Sequence, residues 1–326
     1  MFKVLINRGA LGAIAVGGLI AATNIAMMDD LLLRWEQADQ ANLTRHSERT
    51  RATTLAKPEA VRLLASVAKV KDAFTSAGYE LDAVRRGQIV VPRVQLASLP
   101  YDLPQMRQAR DRKAVFLRYM LPYVLEANNR VRQQRARLLS LRPKIDKGQR
   151  LGEEEAMWLD ALYAEYRVKN RDSTVLLQRI GTVPVSLALA QAAVESGWGT
   201  SRFAQEGNAP FGQWTSKDHA GMVPKQREAG RTHKVRAFES LKLSAESYLR
   251  NLNTHRAYRE FRKMRDSFRN DDKVIDSIAI AGTLLRYSEK GSEYVNLLRH
   301  IIEKNDLRTL DGAQLGDSIL ELRPDA

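Results

Sequence analysis

The chain of 326 residues contains no cysteine. That excludes disulfides, thiolate nucleophiles, Cys-ligated zinc and iron–sulfur clusters, and with them any lipid anchor on an N-terminal cysteine. Histidine is scarce, with five in all. The spacings of His219, His233 and His255 fit no zinc pattern and no HExxH is present, so no metal site and no cofactor is called for. A Gly-rich phosphate loop is missing too, and Ser186, Ser196 and Ser201 lack the setting of a nucleophile elbow. Acidic residues are also short, at 38 against 52 Lys and Arg, a net charge of +14. Such an excess attracts something anionic: nucleic acid, lipid or an acidic polymer. Disorder is excluded by a hydrophobic fraction of 44%. The length suits one large domain or two ordinary ones.

A long apolar run occurs at the start. Gly9 to Met28, 20 residues, carries no charged side chain, follows Lys3 and Arg8, and precedes Asp29 and Asp30. It is long enough to span a bilayer as a helix, and its positive flank should stay inside. Residues 1–28 are therefore expected to be a signal peptide or an uncleaved membrane anchor. The remainder is expected to be exported and periplasmic, held at the inner membrane if the segment stays. Export makes nucleic acid a poor partner. It favours an anionic wall polymer or the outer face of a membrane.

Residues 29–57 are polar, mixed in charge and read as a linker. Residues 58–150 read as a helical and extended region. Pro58 opens a helical stripe of Val61, Leu64, Ala65, Ala68 and Phe74 that ends at Gly78. Gln88 to Val94 suits an edge strand because of Pro92. From Gln105 to Arg150 stand thirteen Lys and Arg against three acids. Under that charge Val115, Phe116, Tyr119, Met120, Tyr123, Val124 and Ala127 keep helical spacing. Pro122 predicts a kink or restart there, since a mid-helix proline costs about 3 kcal/mol. The basic stretch reads as the solvated face of a packed helix or as a flank that docks on an anionic membrane surface or wall. Residues 151–310 follow with helices over Glu153–Tyr166, Thr174–Ile180, Pro184–Ser196, Leu243–Met264, Val274–Tyr287 and Tyr294–Ile302. A small β-hairpin is predicted within Val223–Phe238, and Tyr248, Tyr258 and Phe261 read as core. Residues 311–326 read as a loose polar tail.

One carboxylate stands out. Pro184 to Gly199 reads PVSLALAQAAVESGWG, a helix of small apolar residues that stops at Gly197. Glu195 sits at its C-terminal end, beside Val194 and Trp198. A negative charge is unfavourable at that end of the helix dipole and in an apolar setting. Both effects raise its pKa, the requirement for a general acid in glycosidic cleavage. The competing reading is a glutamate turned outward onto an arginine.

The run ALAQAAVESGWGTSRFA, with FGQW after it, resembles the glucosaminidase domain of bacterial autolysins, glycoside hydrolase family 73. A wider resemblance to bacterial proteins carrying that domain includes Val223-Pro224, Arg227, Gly230, His233, Val235 and Phe238, then NLNTHRAYREFR at Asn251–Arg262 and YSEKGSEY at Tyr287–Tyr294. It covers residues 105–310. The resemblance implies a mainly α, lysozyme-like, α-rich domain with a small β-hairpin lobe. The activity it implies is hydrolysis of β-1,4 bonds next to N-acetylglucosamine, with peptidoglycan glycan strands as the partner. It makes Glu195 the proton donor and gives Trp198, Asn208, Phe211, Gly212 and Trp214 as the substrate-binding set, with Trp198 packing behind the acid rather than touching sugar. An aromatic face at Phe211 is expected to stack on a sugar ring. Tyr287 is expected to face the cleft and orient the acetamido group or a water.

Two departures matter. The family's NNLFG loop is here Asn208-Ala209-Pro210-Phe211-Gly212. The family's second acid, in a T-x-E-Y setting, has only Glu228 in a similar region, with Asp218 and Glu239 as runners-up. If Glu228 activates water, the outcome is inversion; without it, the substrate's own acetamido oxygen serves as nucleophile. A lytic transglycosylase and a non-catalytic wall-binding scaffold are the alternative readings.

Overall fold

In a computed structural model of the chain, the described residues are 65–320 apart from 97, 216–220, 224–233 and 272. The apolar run at 9–28, the linker, the first turns of the Pro58 helix, Asp218, Glu228 and residues 321–326 lie outside them. In chain order the helices are α1 (Val67–Ser76), α2 (Leu81–Arg85), α3 (Ala109–Asp146), α4 (Glu153–Glu165), α5 (Ser173–Arg179), α6 (Val185–Ser196), α7 (Arg202–Gly207), α8 (Leu241–Thr254), α9 (Arg259–Asn270), α10 (Ser277–Ala281) and α11 (Ser292–Lys304). The strands are β1 (Val91–Val94), β2 (Trp214–Thr215), β3 (Gly221–Met222), β4 (Lys234–Arg236) and β5 (Leu315–Leu320). The architecture is mainly α. No helix among the described residues is long and apolar enough to cross a membrane.

The chain forms two units. The larger comprises Pro58–Gln213 and Ala237–Ala326. Residues 65–150 are therefore not a domain of their own; they share one hydrophobic core with the later helices. That core is organised by α3, which packs on α6, α8 and β1. Between Val115 and Leu125 nearly every side chain of α3 is buried, Arg118 excepted. Burying a side chain such as Leu121 stabilises by about 1.5–3 kcal/mol, so a helix enclosed on all sides is held by packing rather than by propensity.

This explains why α3 does not restart at Pro122, one of the two outcomes expected there: the helix runs through Pro122 and Pro143 without a break. Pro122 leaves the carbonyl of Arg118, four residues back, without its amide donor. The buried hydroxyl of Tyr79 donates to that carbonyl at 3.1 Å. The basic residues of α3 meet acids on its neighbours. Arg118 pairs with Glu80 (3.3 Å), Arg130 with Glu165 and Glu246 (3.4 and 3.2 Å), Arg137 with Glu154 (3.1 Å) and Lys144 with Glu155 (2.8 Å). Arg135 donates to the carbonyls of Leu177 and Ile180. Much of the charge concentration thus joins α3 to the elements around it.

The tail expectation is corrected as well. β5 pairs in parallel with β1, Val91 opposite Leu315 and Val94 opposite Leu320. Its sequence, LGDSIL, has too few apolar residues to announce a strand, and its pairing partner lies far away in the chain. The helix expected over Leu243–Met264 is divided, because His255 leaves the helical region and caps a 3₁₀ turn at Arg256–Tyr258. The described part of the smaller unit is an antiparallel sheet in the order β2-β4-β3, with Trp214 opposite Val235 and Met222 opposite Val235. The predicted hairpin region thus contributes β4, and its residues 224–233 lie outside the described residues.

Candidate active site

α6 is apolar and fully enclosed from Val185 to Ala193, so it carries whatever follows it to a fixed place. It stops because Gly197, Trp198 and Gly199 take positive φ in succession (57°, 59° and 80°). The Ser196 hydroxyl accepts the Gly199 amide at 2.8 Å and holds this reversal. A Cβ on Gly199 would lie 2.9 Å from both Leu103 and Phe116, so only glycine lets the turn seat on the N-terminal region. Trp198 packs edge-on against Phe116, centroids 5.9 Å apart, with Lys113 4.8 Å from its ring centre. It forms a wall of the turn.

Glu195, one turn from this reversal, is partly buried. Burial raises its carboxyl from 4.5 to about 6, against a hydrogen bond from Tyr294 that lowers it. No second carboxylate among the described residues enters this balance. Around it stand tyrosines from four places: Tyr248 on α8, Tyr258 in the 3₁₀ turn, Tyr287 before α11 and Tyr294 on α11. The charge of Glu195 is felt at each of them, opposing their ionisation. Tyr287 and Tyr294 stack nearly parallel at 5.6 Å, and Tyr258 lies 5.8 Å from Tyr287.

A one-way chain of hydrogen bonds holds the acid. The Tyr248 hydroxyl donates to the Gln191 carbonyl oxygen at 2.6 Å. The Gln191 amide donates to the Tyr294 oxygen at 3.1 Å, and Tyr294 is hydrogen-bonded to Glu195. Because the phenol already accepts from Gln191, its proton is directed at the carboxylate.

The loop after α7 covers the acid from the other side. Gly212 has φ +59°, and a Cβ there would lie 2.8 Å from Glu195 Oε2. Any other residue would press on the carboxylate. The Phe211 ring is wholly buried and stacks on Tyr248 at 4.1 Å, while its carbonyl accepts the Tyr287 hydroxyl at 3.0 Å. The expected sugar-stacking face at Phe211 is therefore corrected: the ring anchors the loop to α8. Tyr287 faces the acid, yet its hydroxyl is engaged by that backbone. Asn208 is also wholly buried, in a left-handed conformation closing α7, and donates to the carbonyls of Phe238 and Glu239 at 3.2 and 3.3 Å. It holds the loop and is not open to substrate, a second correction. Trp214 opens β2 in the smaller unit with its side chain about half exposed. Glu239 is exposed.

The structure thus brings together Glu195, Gly212 and Tyr287 and adds Gln191, Tyr248, Tyr258 and Tyr294. Gln191 and Tyr294 lie within the motifs quoted above, and only their polarity inside an otherwise apolar stripe signals more than packing. Among the described residues no group of three or more His, Asp or Glu is placed to hold a metal ion.

Residues 172–307 match the family described as Glucosaminidase, mannosyl-glycoprotein endo-beta-N-acetylglucosaminidase. Protein bax of Escherichia coli (strain K12) is 35% identical over 215 residues, covering 64% of this chain and 75% of that protein. The chain belongs to the Bax-like glucosaminidase-domain proteins. No solved structure matches it. The glucosaminidase match encloses Glu195, every tyrosine around it and the Gly212 loop. It leaves out α3, whose Phe116 nonetheless supports the Trp198 turn. Membership suggests a glycosidase and implies a glycan substrate.

Proposed function

We propose that the chain is a peptidoglycan hydrolase, an endo-β-N-acetylglucosaminidase cleaving β-1,4 bonds next to N-acetylglucosamine, with Glu195 as the general acid. The observation that carries this is a single dehydrated carboxyl, raised to about 6, fixed at the end of a buried helix under a glycine that leaves its oxygen uncrowded. Protonated, it can give its proton to the leaving glycosidic oxygen. Ionised, after the bond breaks, it can accept one from water. Fixing the carboxyl in advance lowers the barrier by removing reorganisation. The apolar run at the N-terminus supports export, and hence a wall glycan as substrate.

A lytic transglycosylase is the second reading, since Glu195 is the one acid that the described residues place here, Asp218 and Glu228 lying outside them. Such an enzyme needs one acid and adds no water. Digestion of purified sacculi by the full-length protein and by Glu195→Gln, with products read by mass spectrometry, tests both. Reducing N-acetylglucosamine ends that vanish in the variant are the expected result. Anhydro-sugar ends would favour the transglycosylase. Equal behaviour of the two proteins would leave a wall-binding scaffold.

A further inference from the structure

Next to the tyrosines lies a cluster of cations. His255 caps the 3₁₀ turn by accepting the Ala257 amide on Nδ1 at 3.2 Å, which places its proton on Nε2. That Nε2 is buried and has no hydrogen-bond partner among the described residues. Arg262 donates to the carbonyls of His255 and Leu252 at 2.9 and 3.0 Å. Arg179 donates to those of Tyr166 and Arg167 at 2.7 and 2.9 Å. Arg167, Arg256 and Arg262 all oppose protonation of His255, and Arg179 and Arg259 lower Arg262, so these side chains share one field. Of the nearby carboxylates, Asp266 pairs with Arg269 at 2.7 Å and also acts on Arg262, and Glu260 pairs with Lys263 at 3.1 Å. Arg256 and Arg259 are the exposed members of the cluster.

The cluster borders the acid. His255 is 5.6 Å from Tyr258, Tyr258 is 5.8 Å from Tyr287, and Tyr287 is 5.6 Å from Tyr294, which bonds Glu195. A peptide branch extends about 3.3–3.6 Å per residue, so a branch of about five residues hanging from a glycan at Glu195 covers this path. A guanidinium matches a carboxylate through two parallel hydrogen bonds, and a second one beside it adds to the attraction.

Resting on the hydrolase reading above, we infer that Arg256 and Arg259, backed by Arg167, Arg179, Arg262 and His255, form an anion subsite that takes a carboxylate of the peptide carried by the substrate glycan. A single group suits it better than a flat anionic surface, because Arg179 and Arg262 donate to backbone carbonyls and, of the cluster's arginines, Arg256 and Arg259 are the exposed ones.

The test compares full-length protein with Arg256→Gln/Arg259→Gln on intact sacculi and on glycan strands stripped of peptide by an amidase. Affinity by sedimentation and digestion rate are measured on each. The unaltered protein should favour the peptide-bearing polymer about 3–10-fold, and the double variant should lose that preference through a raised KM with kcat kept. A variant that keeps the preference overturns the proposal. So does one that loses only binding to vesicles of anionic phospholipid. If the unaltered protein digests neither polymer, the hydrolase reading fails, and the sedimentation comparison still decides the subsite. Should the double variant fail to fold, judged by circular dichroism, Arg259→Gln alone is read the same way, with a smaller fold-change.

Discussion

Arg265 and Glu195 are both drawn out of water, and they are treated in opposite ways. Arg265 on α9 is fully buried and surrounded by acceptors: the carbonyls of Gln178, Arg179, Gly181 and Thr182 at 3.1, 3.3, 2.8 and 3.3 Å, and Asn253 Oδ1 at 2.6 Å. It closes the carbonyl end of α5 and the link to α6. Gly181 is the residue that lets it in, since a Cβ there would lie 2.3 Å from the guanidinium carbon. Glu195, at the far end of α6, is given tyrosine rings and one named donor. A charge surrounded by partners is a structural tie. A charge deprived of them is held ready to change its protonation state.

Removing the tie should have the largest effect. Arg265→Leu leaves several buried carbonyls without donors, and breaking such a site costs about 3–5 kcal/mol. Chemical denaturation should show that loss, with α5 and the α5–α6 link losing hydrogen-exchange protection first. An unchanged midpoint would mean that the carbonyls find other donors. Glu195→Gln should do the reverse. Activity on sacculi should fall by roughly 10²–10⁴-fold, the usual contribution of a general acid.

Stability should move the other way with pH in that same variant. The folded carboxyl, at about 6, lies above its unfolded value of 4.5, so the native state binds the proton more tightly. Its contribution is full below 4.5 and is lost as pH rises through 6. Glutamine cannot ionise. The variant should therefore gain up to about 1–2 kcal/mol relative to the parent above that range and nothing from this source below it. Paired melting curves at pH 4 and pH 8 measure the difference, and a parent that is the more stable of the two at pH 8 would contradict it. Smaller in effect is Gly212→Ala: the added methyl must displace the Glu195 carboxyl, and a positive φ adds strain of order 1 kcal/mol. Activity should fall more than stability does.

How much of this is legible in the sequence depends on whether a residue contradicts its local surroundings. Glu195 does: a carboxylate ending a helix of alanine and leucine. Gly197 and Gly199 announce a turn. Gln191, Tyr248 and Tyr294 fall on helical stripes where a core reading is correct as far as burial goes, and nothing local shows that their polar atoms join one chain. Arg265 lies on a helix rich in Arg, Lys and Asp, where arginine ordinarily faces water; its burial follows from Gly181, distant in sequence. The motif puts Phe211 and Asn208 at the substrate, yet burial assigns them to the loop's support. Tyr79 under Pro122 is invisible for the same reason as β5, because the pairing is between segments that the sequence does not connect.

The finest distinction between the two buried charges lies in the donor that Glu195 keeps. Tyr294 stabilises the ionised form, so removing its hydroxyl should raise the carboxyl further above 6. A general acid works while protonated, and kcat/KM should fall with rising pH through that value. In Tyr294→Phe the alkaline limb should therefore move to higher pH, by less than about one unit for one lost hydrogen bond. Gln191→Leu, which removes the donor behind Tyr294 and frees the phenol to turn away, should move the limb in the same direction by less. A merely structural phenol would lower kcat at every pH and leave the limb where it was. The Tyr294→Phe variant keeps the ring and its stacking against Tyr287, so the shift isolates the hydroxyl from the packing.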